Sequence, residues 1–336
     1  MLTVLCESPG TLAVHHRPKP QRQTGEVLLR VRRVGVCGTD LHIFTGHQPY
    51  LAYPRVMGHE LSGVVEEADP DSGLQPGDTV YAMPYLSCGR CRACRQGKSN
   101  CCVQMQVLGV HRDGAFTEYL CLPRRFVGKA DGLTLDQAAM VEFLAVGAHA
   151  VRRGEVGAGQ RVLVVGAGPI GLGAMLFAAL RGATVVALDS RRDRLEVARA
   201  HAGIAAAVTL GDGDEAELAR LTDGEFFDVV FDATGNPQAM ERGFRFIAHG
   251  GRYVLLSIVQ GDIRFSDPEF HKREATLLSS RNATMEDFDT VIAAMRAGQV
   301  PHAALATHRL ALGDLPARFP DLLDPGQGVI KALVEC

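Results

Sequence analysis

The chain has 336 residues, 46% hydrophobic and 22% charged, with a formal net charge of −3. That length accommodates two domains with sizeable cores, and the near-neutral balance excludes the basic field that nucleic acid or an anionic membrane surface would require. The opening residues MLTVLCESPG lack a basic segment, a long apolar run and a small-residue cleavage site, so a cytoplasmic protein is expected, in which clustered cysteines hold metal more often than they form disulfides.

Residues 1 to about 147 read as mostly β. EVLLRVRRVGV alternates apolar and polar side chains as a half-buried strand does, and SPG and PGDTV mark turns. Two stretches carry metal-donor side chains: GVCGTDLHIF brings Cys37 into view, and VMGHELSG brings His59 and Glu60. Farther on, CGRCRACRQGKSNCC holds five of the nine cysteines. Cys88, Cys91, Cys94 and Cys102 give C-x2-C-x2-C-x7-C. Four thiolates can surround Zn²⁺ tetrahedrally at about 2.3 Å and leave no position open, so such a site staples a loop and binds no substrate. Cys101 is an alternative fourth ligand that spacing does not separate from Cys102. A redox C-x-x-C pair is the competing use; two overlapping pairs in a Gly- and Arg-rich loop favour zinc.

From 148 to 282 the pattern becomes strand–helix alternation, the signature of a doubly wound parallel sheet. VLVVGAGPIGLGAMLFAAL is uncharged and long enough to span a membrane, but its glycines and Pro169 break it into strand, turn and helix. Gly166, Gly168 and Gly171, with Pro169 and Ile170 between the last two, form G-x-G-x-x-G inside a βαβ unit, the pattern that presents a helix N-terminus to a pyrophosphate. Asp189 closes the next strand, TVVALD. A carboxylate there accepts from both ribose hydroxyls and repels a 2′-phosphate, which favours NAD over NADP, a preference that Arg191 and Arg192 can soften; a helix N-cap is the plainer role. FDVVFDATG, GRYVLLSI and ATLLSS supply further strands. In the last segment, 283 to 336, TMEDFDTVIAAMRAGQ reads as a helix before short mixed elements return. The second domain is therefore inserted into the first.

CGTD, GHE, the four-cysteine loop, VGAGPIG and DATG together resemble the zinc-dependent medium-chain dehydrogenases along nearly the whole chain, and most of all their polyol and threonine dehydrogenase branch. The resemblance implies a mostly β, GroES-like catalytic domain interrupted by a Rossmann domain, with NAD and two zinc ions per chain, one catalytic and one structural. It implies that Cys37, His59, Glu60 and Glu142 surround the catalytic zinc, Glu142 standing where some members carry cysteine. Taken singly, each has a blander use, as a buried thiol, a satisfied core histidine or a surface charge. The resemblance further makes Thr39 and His42 a proton relay, and Asp40 the carboxylate that orients His59. It implies a small-molecule alcohol as substrate, with no nucleic-acid or membrane partner. A homodimer or homotetramer is implied too, for which GRYVLLSI or ATLLSS offers an edge strand to a two-fold axis.

FSDPEFHKREATLLSSRNAT, LGVHRDGAFTEYL and VEFLAVGAHAVRR resemble a sub-branch acting on sugar acids such as L-galactonate or L-gulonate. Arg281 in the first of these suits a substrate carboxylate, the cofactor or a surface ion pair alike, and His111 and Phe44 are candidates for the pocket wall. L-Threonine 3-dehydrogenase is the nearest alternative, with sorbitol-type and butanediol dehydrogenases behind it. A zinc-free NADPH reductase or a non-catalytic nucleotide-binding protein of the same fold are the alternatives from other classes.

Overall fold

The computed structural model describes residues 1–48 and 51–336. The chain divides into two units, one made of Met1–Glu142 with Thr284–Cys336 and the other of Phe143–Ala283. The first crossing lies inside the continuous helix Val141–Arg153, where no turn residue marks it in the sequence.

The first unit is built on a seven-stranded, largely antiparallel sheet. At its centre Glu26–Val36, the predicted strand, pairs with Glu60–Glu67 and with Lys331–Glu335. Its first half also meets Tyr119–Pro123. Val27, Leu28, Leu29, Val31 and Val34 are fully or almost fully buried, so this central strand carries apolar side chains on both faces and is not the half-buried strand its alternation suggested. Gly35 lies opposite Glu60 on one side and Leu333 on the other. Three chain segments thus come to one end of three neighbouring strands: Cys37 just after the first, His59 just before the second, and Lys331 opening the third.

The second unit is a parallel sheet of six strands. In chain order they are Arg161–Val165, Thr184–Asp189, Ala206–Thr209, Phe227–Asp232, Ile247–Leu255 and Thr276–Ser279; in space they lie in the order 3-2-1-4-5-6. Helices on both faces make the strands continuous apolar runs rather than alternating ones, and Leu163, Val186, Leu188, Val230 and Tyr253 share one buried cluster. The uncharged run is the first strand, a turn and the helix Pro169–Leu180. Among the described residues no helix is long and apolar enough to cross a membrane.

Candidate functional site

Donor atoms of Cys37, His59 and Glu60 lie within 4.8 Å of one another, about the span that two bonds of roughly 2.0–2.3 Å to one zinc ion can bridge. Cys37 caps the helix Gly38–Phe44, and its N–H donates to Asp40 Oδ2 at 2.9 Å. Asp40 Oδ1 accepts from the Gly58 N–H at 3.0 Å. One wholly buried carboxylate therefore ties together the two segments that carry Cys37 and His59. The buried His59 Nδ1 stands 4.0 Å from Asp40 Oδ1, beyond hydrogen-bond reach, and has no hydrogen-bond partner among the described residues. Asp40 thus fastens the backbone of both donor segments, and its charge faces the His59 imidazole at 4.0 Å. The half-buried Thr39 hydroxyl is 3.8 Å from Cys37 Sγ. His42, three residues on along the same helix face, is exposed.

Each carboxylate has its own buried partner, and neither partner was anticipated. Lys331 Nζ donates to both oxygens of Glu60, at 2.6 and 2.7 Å, and to the Val36 carbonyl at 3.1 Å. Lys331 and Glu60 are 1% and 0% exposed, so this ion pair is sealed from solvent. Glu142 opens the helix Val141–Arg153 and stands outside the tight trio, where its Oε1 accepts the Tyr85 hydroxyl. The one visible signal for Lys331 is a lysine embedded in the apolar run VIKALV. Tyr85 has no signal of its own.

Burial and charge in this space perturb His59, Glu142 and Tyr85. Burial alone would depress the His59 imidazole, yet the Cys37 sulfur, Asp40 and Glu142 hold its pKa well above the usual range. Burial raises Glu142 to about 7 against the pull of His59, with Glu60 pushing the same way as burial. Burial, then Glu142, raises the Tyr85 phenol. A thiolate, an imidazole and carboxylates crowded together in low dielectric are a donor set that a divalent cation neutralises, and they fit zinc.

Elsewhere in the first unit, Cys88, Cys91, Cys94 and Cys102 form a second cluster within 4.8 Å. Cys101 is exposed and outside it. Backbone N–H groups of Cys88 and Gln104 donate to Cys102 Sγ at 3.2 and 3.3 Å, and that of Cys91 to Cys88 Sγ at 3.4 Å. The N–H groups of Cys94 and Val103 hold the Cys91 thiol down to about 6. Burial and the neighbouring Cys91 raise Cys94 to about 11 in turn, so the loop's amides favour the thiolate at Cys91 and not at every cysteine of the cluster. Phe44 is buried against Phe319, with ring centroids 5.1 Å apart. His111 Nδ1 accepts the Val107 N–H at 3.1 Å across a turn.

In the second unit the glycine loop has the geometry a pyrophosphate needs. Gly166 is left-handed, with φ of 97°, and a Cβ on Gly171 would stand 1.8 Å from the Gly166 carbonyl oxygen. Gly168, Pro169 and Ile170 are half-buried at the open end of the helix Pro169–Leu180. Beside them is a cavity of about 400 Å³, lined by Gly166, Gly168, Asp189, Arg191 and Arg194 among others. Asp189 braces the loop itself: Oδ2 accepts the Ala167 N–H at 2.6 Å and Oδ1 the Arg191 N–H at 2.7 Å. The Arg191 guanidinium is engaged by Asp193, Arg192 is exposed, and Arg194 is the cation closest to the loop, its Nη1 3.3 Å from where a Gly168 Cβ would lie. Arg281 is exposed beyond the sixth strand and does not line this cavity.

Two family models match the chain, that of the alcohol dehydrogenase GroES-like domain over residues 23–132 and that of the zinc-binding dehydrogenase over 169–297. The chain is similar to L-galactonate-5-dehydrogenase of Escherichia coli K12, 39% identical over 335 residues, covering 99% of this chain and 98% of that one. It is also similar to sorbitol dehydrogenase of Halalkalibacterium halodurans, 31% identical over 311 residues, 91% of this chain and 90% of that one. A solved alcohol dehydrogenase of Escherichia coli CFT073, in complex with NADH, superposes with a TM-score of 0.93 at 28% identity, covering 100% and 99% of the two chains. Donor clusters, glycine loop, fold and relatives agree, and the chain belongs to the zinc-type medium-chain alcohol dehydrogenases, oxidoreductases that use zinc and a nicotinamide dinucleotide.

Proposed function

We propose that the protein oxidises a secondary alcohol of a sugar acid or polyol, with NAD as hydride acceptor. The observation that carries the substrate class is the 39% identity, over 99% of the chain, to a protein named L-galactonate-5-dehydrogenase. When bound, zinc supplies the Lewis acidity that brings a hydroxyl's pKa toward neutrality, and the dinucleotide supplies the acceptor. The residues divide the remaining work. Cys37 and His59 hold the catalytic ion, with Glu60 and Glu142 as carboxylate donors. Thr39 relays the hydroxyl proton and His42 passes it to water, a task suited to an exposed imidazole. Cys88, Cys91, Cys94 and Cys102 hold the structural ion. The Gly166–Gly171 loop receives the pyrophosphate, and Asp189 turns its remaining lone pairs to the ribose. We assign self-association, as a dimer or tetramer, to the outer edge of Thr276–Ser279, whose residues are mostly exposed.

The test is an NAD-reduction screen over aldonates, polyols and L-threonine, with and without a zinc chelator. Aldonate or polyol oxidation that the chelator abolishes is the expected result. Activity on L-threonine alone would overturn the substrate class, and chelator-insensitive turnover the metal assignment.

A further inference from the structure

Residues 191–194 read R-R-D-R, three guanidinium groups and one carboxylate just past Asp189. Arg191 caps the helix Arg192–His201 and lines the cavity of about 400 Å³ together with Asp189, Ser190 and Arg194. Asp193 holds its guanidinium by a two-point fork, Nε to Oδ1 at 3.1 Å and Nη2 to Oδ2 at 2.5 Å. The two side chains are 26% and 53% exposed, so the pair can be reached by a ligand in the cavity. Arg194 stands differently: its Nε is buried and makes no hydrogen bond among the described residues. A guanidinium fork matches a phosphate as well as a carboxylate, and at Arg191 a carboxylate of the chain already fills it.

We propose that Asp193 is a positioning residue for cofactor choice: by holding the Arg191 guanidinium, it withholds that fork from the 2′-phosphate of NADP. Two carboxylates then act against NADP in different ways. Asp189 repels the phosphate directly, and Asp193 keeps occupied a cation able to receive it. NADP must displace one anion from Arg191 to seat another, an exchange of like for like, whereas NAD carries a hydroxyl there and asks nothing of Arg191. Specificity is a difference of affinities, and it is reached here by weakening the wrong partner. Neutralising Asp193 leaves Asp189 and its bonds to the Ala167 and Arg191 N–H groups in place, so the ribose side of the site keeps its form.

This inference rests on the NAD preference proposed above, and direct binding separates the two. NADH and NADPH are titrated into the zinc-loaded protein without substrate and followed by nicotinamide fluorescence. Wild type is expected to bind NADH more tightly. Asp193→Asn should bind NADPH about tenfold more tightly than wild type does, the scale of a hydrogen-bonded contact to a charged group, with NADH changed by less than about twofold. Asp193→Glu, which keeps the charge, should stay near wild type, and Arg191→Ala added to Asp193→Asn should abolish the gain. Three results would each overturn the role of Asp193 and leave the NAD reading standing: wild-type NADPH affinity in Asp193→Asn, an equal gain for both cofactors, or a gain that survives Arg191→Ala. Wild type that prefers NADPH would overturn the NAD reading itself, and this inference with it.

Discussion

Asp40 and Asp189 do related jobs in the two units: each is a carboxylate that fastens backbone N–H groups around a binding feature. For Asp189 this double duty has a measurable consequence. Asp189→Ala removes the acceptors for the ribose and also loosens the glycine loop, so KM for NAD should rise about tenfold or more, on the basis of about 1–2 kcal/mol for the lost hydrogen bonds. Discrimination against NADP should fall in the same variant, with Arg194 already lining the cavity; initial rates with both cofactors check this. At the metal donors, Cys37→Ser or His59→Ala should lose about one zinc per chain and at least about a hundredfold in turnover, measured by metal analysis beside steady-state rates. These residues were legible because each donor sits in a short local motif. Lys331 was not. Its partner Glu60 is 271 residues away, and only the register of Lys331–Glu335 against Glu26–Val36 brings them together. Asp40 was recognised, but the backbone bonds by which it joins the two donor segments were not, because sequence does not show which amides a carboxylate will reach.

Among the elements, the four-cysteine loop and the parallel sheet were read most fully, since C-x2-C-x2-C spacing and apolar strand runs are local signals. The loop holds only short helices, Arg92–Arg95 and Ser99–Cys101, which bury little and depend on an ion for order. Cys91→Ser should therefore remove one zinc and lower the melting temperature, while the other zinc remains. Loss of turnover with both ions retained would contradict a structural role. The helix Asp214–Arg220 is anchored differently. Asp214 is buried and paired with Arg242 through two contacts, and that guanidinium holds the Asp214 carboxyl below its usual range. A depressed carboxylate stabilises the fold above its unfolded pKa of about 3.9 and loses that contribution as pH falls through the folded value. Asp214→Asn should cost about 1–3 kcal/mol at pH 7, a gap to wild type that narrows below about pH 4. Urea midpoints across that range measure it.

Across the whole chain, the insertion of one unit into the other was evident from the change in periodicity near residues 148 and 283, whereas the crossing inside a continuous helix was not, because a helix that belongs to both units carries no turn chemistry. The exposed edge Thr276–Ser279 bears on assembly. Leu277 is 40% exposed there, and a charge on an edge strand discourages pairing with another copy. Leu277→Lys should therefore shift the protein toward a smaller species in sedimentation; an unchanged mass would place self-association elsewhere. The threading of the first unit also sets an order of maturation. Cys37, His59 and Glu60 leave the ribosome early and the four cysteines soon after, but the lysine that neutralises Glu60 follows only once all of Phe143–Ala283 has been synthesised. The four cysteines are therefore all present in the nascent chain before the Glu60–Lys331 ion pair can form.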